Sequence, residues 1–302
     1  MTSIERTKEL VTLTFTKPIS LDEYIARVIY LKKSILFKII SKRFMKRFMS
    51  STTKLVYQQS LIDKEKWDIL IILDACRYDV FKESVFKFFN GDLLPVVSNG
   101  SITLDWFIST WCNSKHKSRV YYISANPFIR KEDPNISKCV HKVVDTWKMF
   151  WNKEKMTVST KSILNFSKIM LRLYSKDLEA GRLKLVIHLL QPHAPYIYWP
   201  HVFDELWRLG APYNITTVYS LHRKNKHVLD ILRTSYIASL NYSLKYIAEF
   251  IHEVYRLYPK KITIVITSDH GELFGEYGLL FHPNIELPEL RIVPWFVVHA
   301  TR

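Results

Sequence analysis

Asp74, Asp269 and His270 are the residues of this chain whose types and positions best suit the capture of a divalent cation. Asp74 closes the apolar run Trp67-Asp68-Ile69-Leu70-Ile71-Ile72-Leu73, and Asp269-His270 follows a second apolar run, Lys261–Thr267. Carboxylate oxygens and an imidazole nitrogen suit zinc or manganese, with calcium as the harder alternative. A buried carboxylate without a partner is costly, so an acid ending a buried strand needs a cation, a salt bridge or a helix N-terminus beside it. One such Asp reads equally well as a cap. Asp74 taken with the Asp269-His270 pair reads as a metal site, one ion being favoured over two. Gly271 follows directly and permits a sharp, close turn of the backbone. His193, in Gln191-Pro-His-Ala-Pro-Tyr196, follows a third apolar run.

These residues must be positioned by a rigid frame, and the frame is legible as alternating strand and helix. Short, β-branched, nearly continuous apolar runs at 67–73, Arg119–Ser124, Leu183–Leu190, Lys261–Thr267 and Ile292–Val298 read as strands buried on both faces. Between them, Val158–Ala180 and Lys226–Tyr258 repeat apolar residues at threes and fours, among them Leu229, Leu232, Tyr236, Leu240, Leu244, Ile247 and Ile251. The alternation predicts an α/β fold, a mostly parallel sheet with helices on both faces. In such sheets binding groups gather at the carboxyl ends of the strands, which is where Asp74, His193 and Asp269-His270 stand.

The segments LDACRYD at 73–79 and TSDHGELFGEYG at 267–278 resemble the first and last metal motifs of the alkaline phosphatase superfamily, in its sulfatase-like branch. HLLQPHAPY at 188–196 resembles that branch's His-Pro-Tyr substrate segment, and FHPNIELPELRIVPWFVV at 281–298 its closing segment. The resemblance runs over about residues 66–298 and implies an alkaline-phosphatase-like central sheet. It implies that Asp74, Asp269 and His270 ligate the metal, and that His193 and His282 contact the anionic ester or protonate its leaving oxygen. It further implies that Arg77 binds substrate or supports the site together with Asp79. The Cys-x-Pro-x-Arg motif that sulfatases convert to formylglycine is missing. Instead Ser98-Asn-Gly-Ser-Ile-Thr-Leu-Asp-Trp-Phe107 falls where phosphate-handling members place a Ser or Thr at a helix N-terminus. Ser101 and Thr103 are the candidate nucleophiles, Ser101 the favoured one, and either hydroxyl could instead be an N-cap. Aligned by its Phe, the segment puts Ile102 at the nucleophile position. Relatives with two metals add an Asp-x-x-x-His pair that this chain lacks before His193. His188, His193 and His282 could rebuild a second site, and His188 reads equally as a core histidine.

The composition bounds the rest. The 302 residues are 48% hydrophobic and 24% charged, enough apolar surface for a sizeable core. Lys+Arg 44 against Asp+Glu 28 gives +16, a balance that attracts anionic partners without naming one. No specific nucleic acid is expected. The segment Tyr24–Val56 interleaves apolar residues with Arg27, Lys32, Lys33, Lys38, Lys42, Arg43, Lys46 and Arg47. It reads as basic amphipathic helix, lying through residues 24–56 on an anionic membrane surface or packed on the main domain. A boundary near residue 60 is expected, with a basic helical extension over 1–60 and the α/β domain over 61–302. No run approaches a membrane span and no targeting segment is evident, so a cytoplasmic location is expected. Cys76, Cys112 and Cys139 show no CxxC pair, and a reducing compartment is the simpler reading.

The function expected is metal-dependent hydrolysis of an anionic phosphate or sulfate ester, phosphate favoured. The alternatives are a phosphoglycerol- or phosphoethanolamine-type transferase acting on a glycan or lipid, and a catalytically silent basic membrane- or polyanion-binding protein.

Overall fold

The computed structural model describes residues 35–51, 55–199, 226–258 and 262–299. Its strands are β1 Val56–Tyr57, β2 Ile69–Asp74, β3 Gly91–Val97, β4 Val120–Ser124, β5 Lys142–Asp145, β6 Trp151–Asn152, β7 Thr157–Val158, β8 Lys184–Pro192, β9 Ile264–Ser268, β10 Leu273–Phe274, β11 Leu280–Phe281 and β12 Ile292–Val298. Eight of them form one sheet in the order β1-β3-β12-β9-β2-β8-β4-β5. β12 runs antiparallel to both neighbours, and the other adjacent pairs are parallel. β6 with β7 and β10 with β11 form two small antiparallel hairpins outside that sheet.

The main helices are α1 Ile35–Ser51, α2 Gln58–Lys64, α3 Tyr78–Val85, α4 Thr103–Trp111, α5 Thr160–Leu173 and α6 Lys226–Leu257. Side chains alternate across a strand, and β2 divides its residues accordingly. Ile69, Ile71 and Leu73 join the core beneath α3, α5 and α6, whereas Leu70 and Ile72 join a second core built on Trp106, Phe107 and Trp111 of α4. The sheet is therefore covered on both faces, which is why its central strands are apolar throughout. The helix expected over Val158–Ala180 ends at Leu173, and the short helix Ser175–Glu179 follows.

Val56 and Tyr57 pair with β3, and the buried Gln58 amide donates to Thr267 Oγ1 at 2.8 Å and to the Ser268 carbonyl at 2.7 Å. These residues, assigned from sequence to the extension, lie within the α/β layers. In α1, Ser41 and Met45 are buried and Phe44 packs on Leu273, Leu279, Ile285, Leu287 and Leu290. Lys42, Arg43 and Lys46 are exposed on its other face. The remainder of the expected basic segment, Tyr24–Ser34 and Thr52–Lys54, lies outside the described residues.

Among the described residues no helix is long and apolar enough to cross a membrane. Cys112, at the end of α4, and Cys139, after the short helix Pro134–Ser137 that packs beside it, are joined as a disulfide. A pairing set by two adjacent helix ends has no signature in sequence spacing.

Lys184, at the start of β8, is buried with its ammonium 4.2 Å from the centre of the Trp67 ring, donating to the Trp67 carbonyl. Burial pushes its pKa down to about 8.

Candidate active site

The loops after β2, β3, β4, β8 and β9 leave from one edge of the sheet, and β12, reversed, begins at that edge. Asp74 is the last residue of β2, and Asp269-His270 follows β9, its neighbour. Immediately after Asp74 the chain turns through Ala75, whose φ of 58° is uncommon for a residue with a side chain. That turn aims the Ala75 amide at Asp269 Oδ1, 3.0 Å away, which also accepts from the His270 amide at 2.8 Å. Gly271 has no room for a side chain, since a Cβ there would meet the Glu289 carbonyl oxygen at 1.9 Å.

Asp74, Asp269, His188 and His270 are fully buried together. Asp74, His188 and Asp269 place one ligand atom each within 4.8 Å of one another. His188 Nε2 is 3.7 Å from both Asp74 Oδ2 and Asp269 Oδ2, and His270 Nε2 is 3.7 Å from Asp74 Oδ1 and 3.3 Å from Asp269 Oδ2. His270 Nδ1 lies 2.9 Å from the Gly271 carbonyl, an arrangement that places the ring proton on Nδ1 and leaves the Nε2 lone pair toward the carboxylates. Asp74 Oδ1 and His188 Nε2 are buried without a hydrogen-bond partner. Two orphaned polar atoms of ligand type in one buried cluster with a second carboxylate fit a divalent cation. Burial, and next the neighbouring Asp269 charge, push the Asp74 carboxyl well above its usual range. Burial drives His188 down to about 4 and His270 well below its ordinary value, so both imidazoles are neutral and able to ligate.

Of the two candidate hydroxyls, Thr103 lies at these carboxylates. It is the first residue of α4, and its hydroxyl is 2.9 Å from Asp269 Oδ2 and 3.3 Å from His270 Nε2. Ser101, favoured from sequence, turns its hydroxyl toward Asn284 Oδ1, 3.4 Å away. Ile102 is the N-cap residue, and no side chain caps the helix, so the amides of its first turn face the site without a side-chain acceptor. Gly100 lets the segment press onto α4, since a Cβ there would lie 2.5 Å from the Trp106 amide nitrogen.

His193, after β8, and His282, after β11, meet with their Nε2 atoms 3.3 Å apart, and the rings of His270 and His282 lie 4.5 Å apart. Glu272 is fully buried with Oε1 3.2 Å from His282 Nδ1. Burial opposes charge on His282, but Glu272 outweighs it and raises the imidazole above its ordinary pKa. Burial, then the adjacent His282, pushes His193 well below. Glu272 thus favours the charged form of His282, whereas burial and His282 disfavour that of His193. His188 stands with Asp74 and Asp269 rather than with this pair, so the second cluster that His188, His193 and His282 could have formed does not assemble.

Arg77, expected to bind substrate or to support the site together with Asp79, is paired with Asp79. Its guanidinium donates to both oxygens of Asp79 at 2.9 and 2.7 Å, to Glu276 Oε1 at 2.5 Å and to the Glu272 carbonyl at 3.2 Å. With its donors taken up by these acceptors, it braces the loop that carries Glu272.

Asn126, in the loop after β4, was not singled out from sequence. Its amide nitrogen donates to Asp74 Oδ2 and lies 3.3 Å from the Thr103 hydroxyl, while its oxygen accepts from the Phe128 amide at 2.8 Å. A lone Asn after a strand has no spacing signature. Glu272 stood within the SDHGE motif, and its place there was the signal available.

No model of a protein family matches the chain, and no curated protein matches it in sequence. Solved structures do. The chain is similar to the C-terminal periplasmic domain of phosphoethanolamine transferase EptC from Campylobacter jejuni, at 15% identity over 81% of this chain and 82% of that one, TM-score 0.47. It is similar to a protein in the alkaline phosphatase superfamily from Vibrio parahaemolyticus, at 10% identity over 85% and 68%, TM-score 0.45. Against the integral membrane lipooligosaccharide phosphoethanolamine transferase EptA from Neisseria meningitidis, identity is 16%, TM-score 0.46, and 85% of this chain spans 53% of that protein. The likeness is one of fold alone, a mostly parallel sheet between helices.

Proposed function

We propose that this chain is a metal-dependent hydrolase of phosphate esters with Thr103 as its nucleophile. The observation that carries the reading is the Thr103 hydroxyl, hydrogen-bonded to Asp269 at the start of an uncapped helix and beside the orphaned ligand atoms of Asp74 and His188. A divalent cation held by Asp74, His188, Asp269 and His270 would offset charge on the ester oxygens and lower the pKa of the hydroxyl.

The rest falls to the chain's own groups. Thr103 directs its proton at Asp269 Oδ2 and its oxygen at phosphorus, and the first-turn amides of α4 stabilise the transferred anion. As the Thr103 Oγ–P bond forms, the bond to the leaving oxygen breaks. Its electron pair departs with that oxygen, which takes a proton from His282. Glu272 holds the His282 ring and favours its charged form. Water then cleaves the phosphothreonine and restores the hydroxyl. Phosphate is favoured over sulfate because Cys76 is buried in the apolar core and the chain lacks the formylglycine motif.

Release of alcohol from alkyl and aryl phosphates, measured with added manganese or zinc, tests the reading. Activity that disappears in Asp269→Ala and Thr103→Ala is expected; equal rates in wild type and both variants would remove it. Contact with an anionic membrane through residues 24–56 is a separate proposal, supported by the exposed Lys42, Arg43 and Lys46 of α1.

A further inference from the structure

We infer that the ester's organic part is an uncharged apolar group, seated in a cavity that opens beside Thr103; this rests on the esterase reading above. The cavity has a volume of about 420 Å³, with Thr103, His193 and His282 at its reactive end. Its walls are apolar: Ile102 and Leu104 from the start of α4, Phe128 from the loop after β4, Leu190 from β8, and Trp151 and Met156 from the β6–β7 hairpin. A volume in this range suits a small organic ligand.

The chemistry of the lining selects among organic groups. Among the described residues no Asp, Glu, Lys or Arg side chain lines the cavity. Asn126, the one amide there, is already committed at both ends, its nitrogen to Asp74 and its oxygen to the Phe128 amide. An ammonium group or a polyol lying against these walls would lose water and find no uncommitted polar side chain beyond the reactive end, which is unfavourable for any polar group and most so for a charged one. An alkyl chain or an aryl ring loses nothing and gains burial.

Two further observations point the same way. Phe128 is 64% exposed and Trp151 41% exposed, so large aromatic surface stands uncovered where the cavity meets solvent. The hairpin wall is also fixed before any ligand arrives. The Gln191 amide nitrogen donates to Thr157 Oγ1 at 2.9 Å and to the Val158 carbonyl at 2.8 Å, and its oxygen accepts from the Thr160 amide at 3.0 Å. Trp151 pairs with Val158 across the hairpin. A preformed apolar wall needs little ordering when ligand binds, so the contact it offers is expressed as affinity.

The test compares ligands that share the phosphonate head and differ in the tail. Hexylphosphonate and 2-aminoethylphosphonate are titrated calorimetrically into the full chain loaded with manganese, and hydrolysis of hexyl phosphate and phosphoethanolamine is measured in parallel. Hexylphosphonate is expected to bind about 10- to 100-fold tighter, the ratio that burying a few methylene groups supplies. In Phe128→Asp and Trp151→Asp, both at exposed positions, that ratio is expected to fall below about threefold, because a carboxylate at the mouth disfavours the chain and attracts the amine. Equal or reversed preference in the wild type overturns the inference, as does a hexyl preference that survives both substitutions; either result leaves Thr103-dependent hydrolysis standing. Absence of Thr103-dependent turnover with every ester instead sinks the esterase reading itself.

Discussion

The hydroxyl of Thr103 lies 2.9 Å from Asp269 Oδ2, although the two residues are 166 positions apart in the chain. The helix that begins at Thr103 and the strand that ends before Asp269 are thereby joined at the group proposed to attack phosphorus. Thr103→Ala is expected to lower kcat by about 10³-fold or more, as loss of a nucleophile does. Thr103→Ser keeps the oxygen and retains measurable turnover, whereas Ser101→Ala changes kcat by less than about threefold. The reverse ranking, from steady-state kinetics on one ester, would move the nucleophile to Ser101.

Asp74 and Asp269 bring two carboxylates into one buried site, where they repel unless a cation lies between them. Asp74→Asn should weaken manganese or zinc binding, read by calorimetry and by elemental analysis after dialysis. In the metal-free protein the same change relieves the repulsion, and denaturant unfolding should show a gain of about 1–3 kcal/mol. A variant that holds metal as tightly as the wild type would count against the ligand assignment.

His282 is proposed to protonate the leaving oxygen, a service that matters most when the alcohol is a poor leaving group. His282→Ala should slow hydrolysis of an alkyl phosphate by about 10²- to 10⁴-fold, the usual span for general acid catalysis, and that of a nitrophenyl phosphate much less. Glu272→Gln should show the same selectivity more weakly, because it orients His282 without touching the ester. A uniform loss across leaving groups would instead assign the pair to binding.

Lys184 gives a pH signature remote from the proposed chemistry. Its pKa is lowered to about 8 from 10.5, so the folded protein releases this proton before the unfolded chain does. Between those values the unfolded state binds more protons, and the stability contributed by this position rises with pH. The difference in unfolding free energy between wild type and Lys184→Met should therefore move in favour of wild type from about pH 7.5 to about pH 10. A flat or opposite trend in urea titrations would show that the ammonium is better solvated than its surroundings indicate.

The exposed basic face of α1 is testable with vesicles. Replacing Lys42, Arg43 and Lys46 together by Glu should weaken sedimentation with phosphatidylserine vesicles by about 100-fold or more, at about 1 kcal/mol for each basic residue near an anionic surface. Binding unchanged by the triple substitution would reject this helix as a membrane contact.

The strand ends were legible because chemistry interrupts pattern there. Asp74 and Asp269-His270 break apolar runs, and a charged residue at the end of a buried strand stands out against its neighbours. His188 was harder to read, because an imidazole inside an apolar strand is also an ordinary core residue. In the structure it lies opposite Ile72, two residues before Asp74, and so on the face where Asp74 emerges. β3 escaped notice because its first residues are half exposed and Pro95 sits within it, so neither a continuous apolar run nor uninterrupted β propensity marks it. Which of Ser101 and Thr103 turns its hydroxyl to the carboxylates follows from where α4 begins, and the types of the hydroxyl residues do not mark that start.

The reversed direction of β12 decides where additions to the protein would sit. Val298, its last residue, pairs with Gly91, the first residue of β3. Polypeptide fused beyond that strand would set out from the rim farthest from Thr103, leaving the mouth framed by Phe128 and Trp151 clear for a bulky reporter or surface tether.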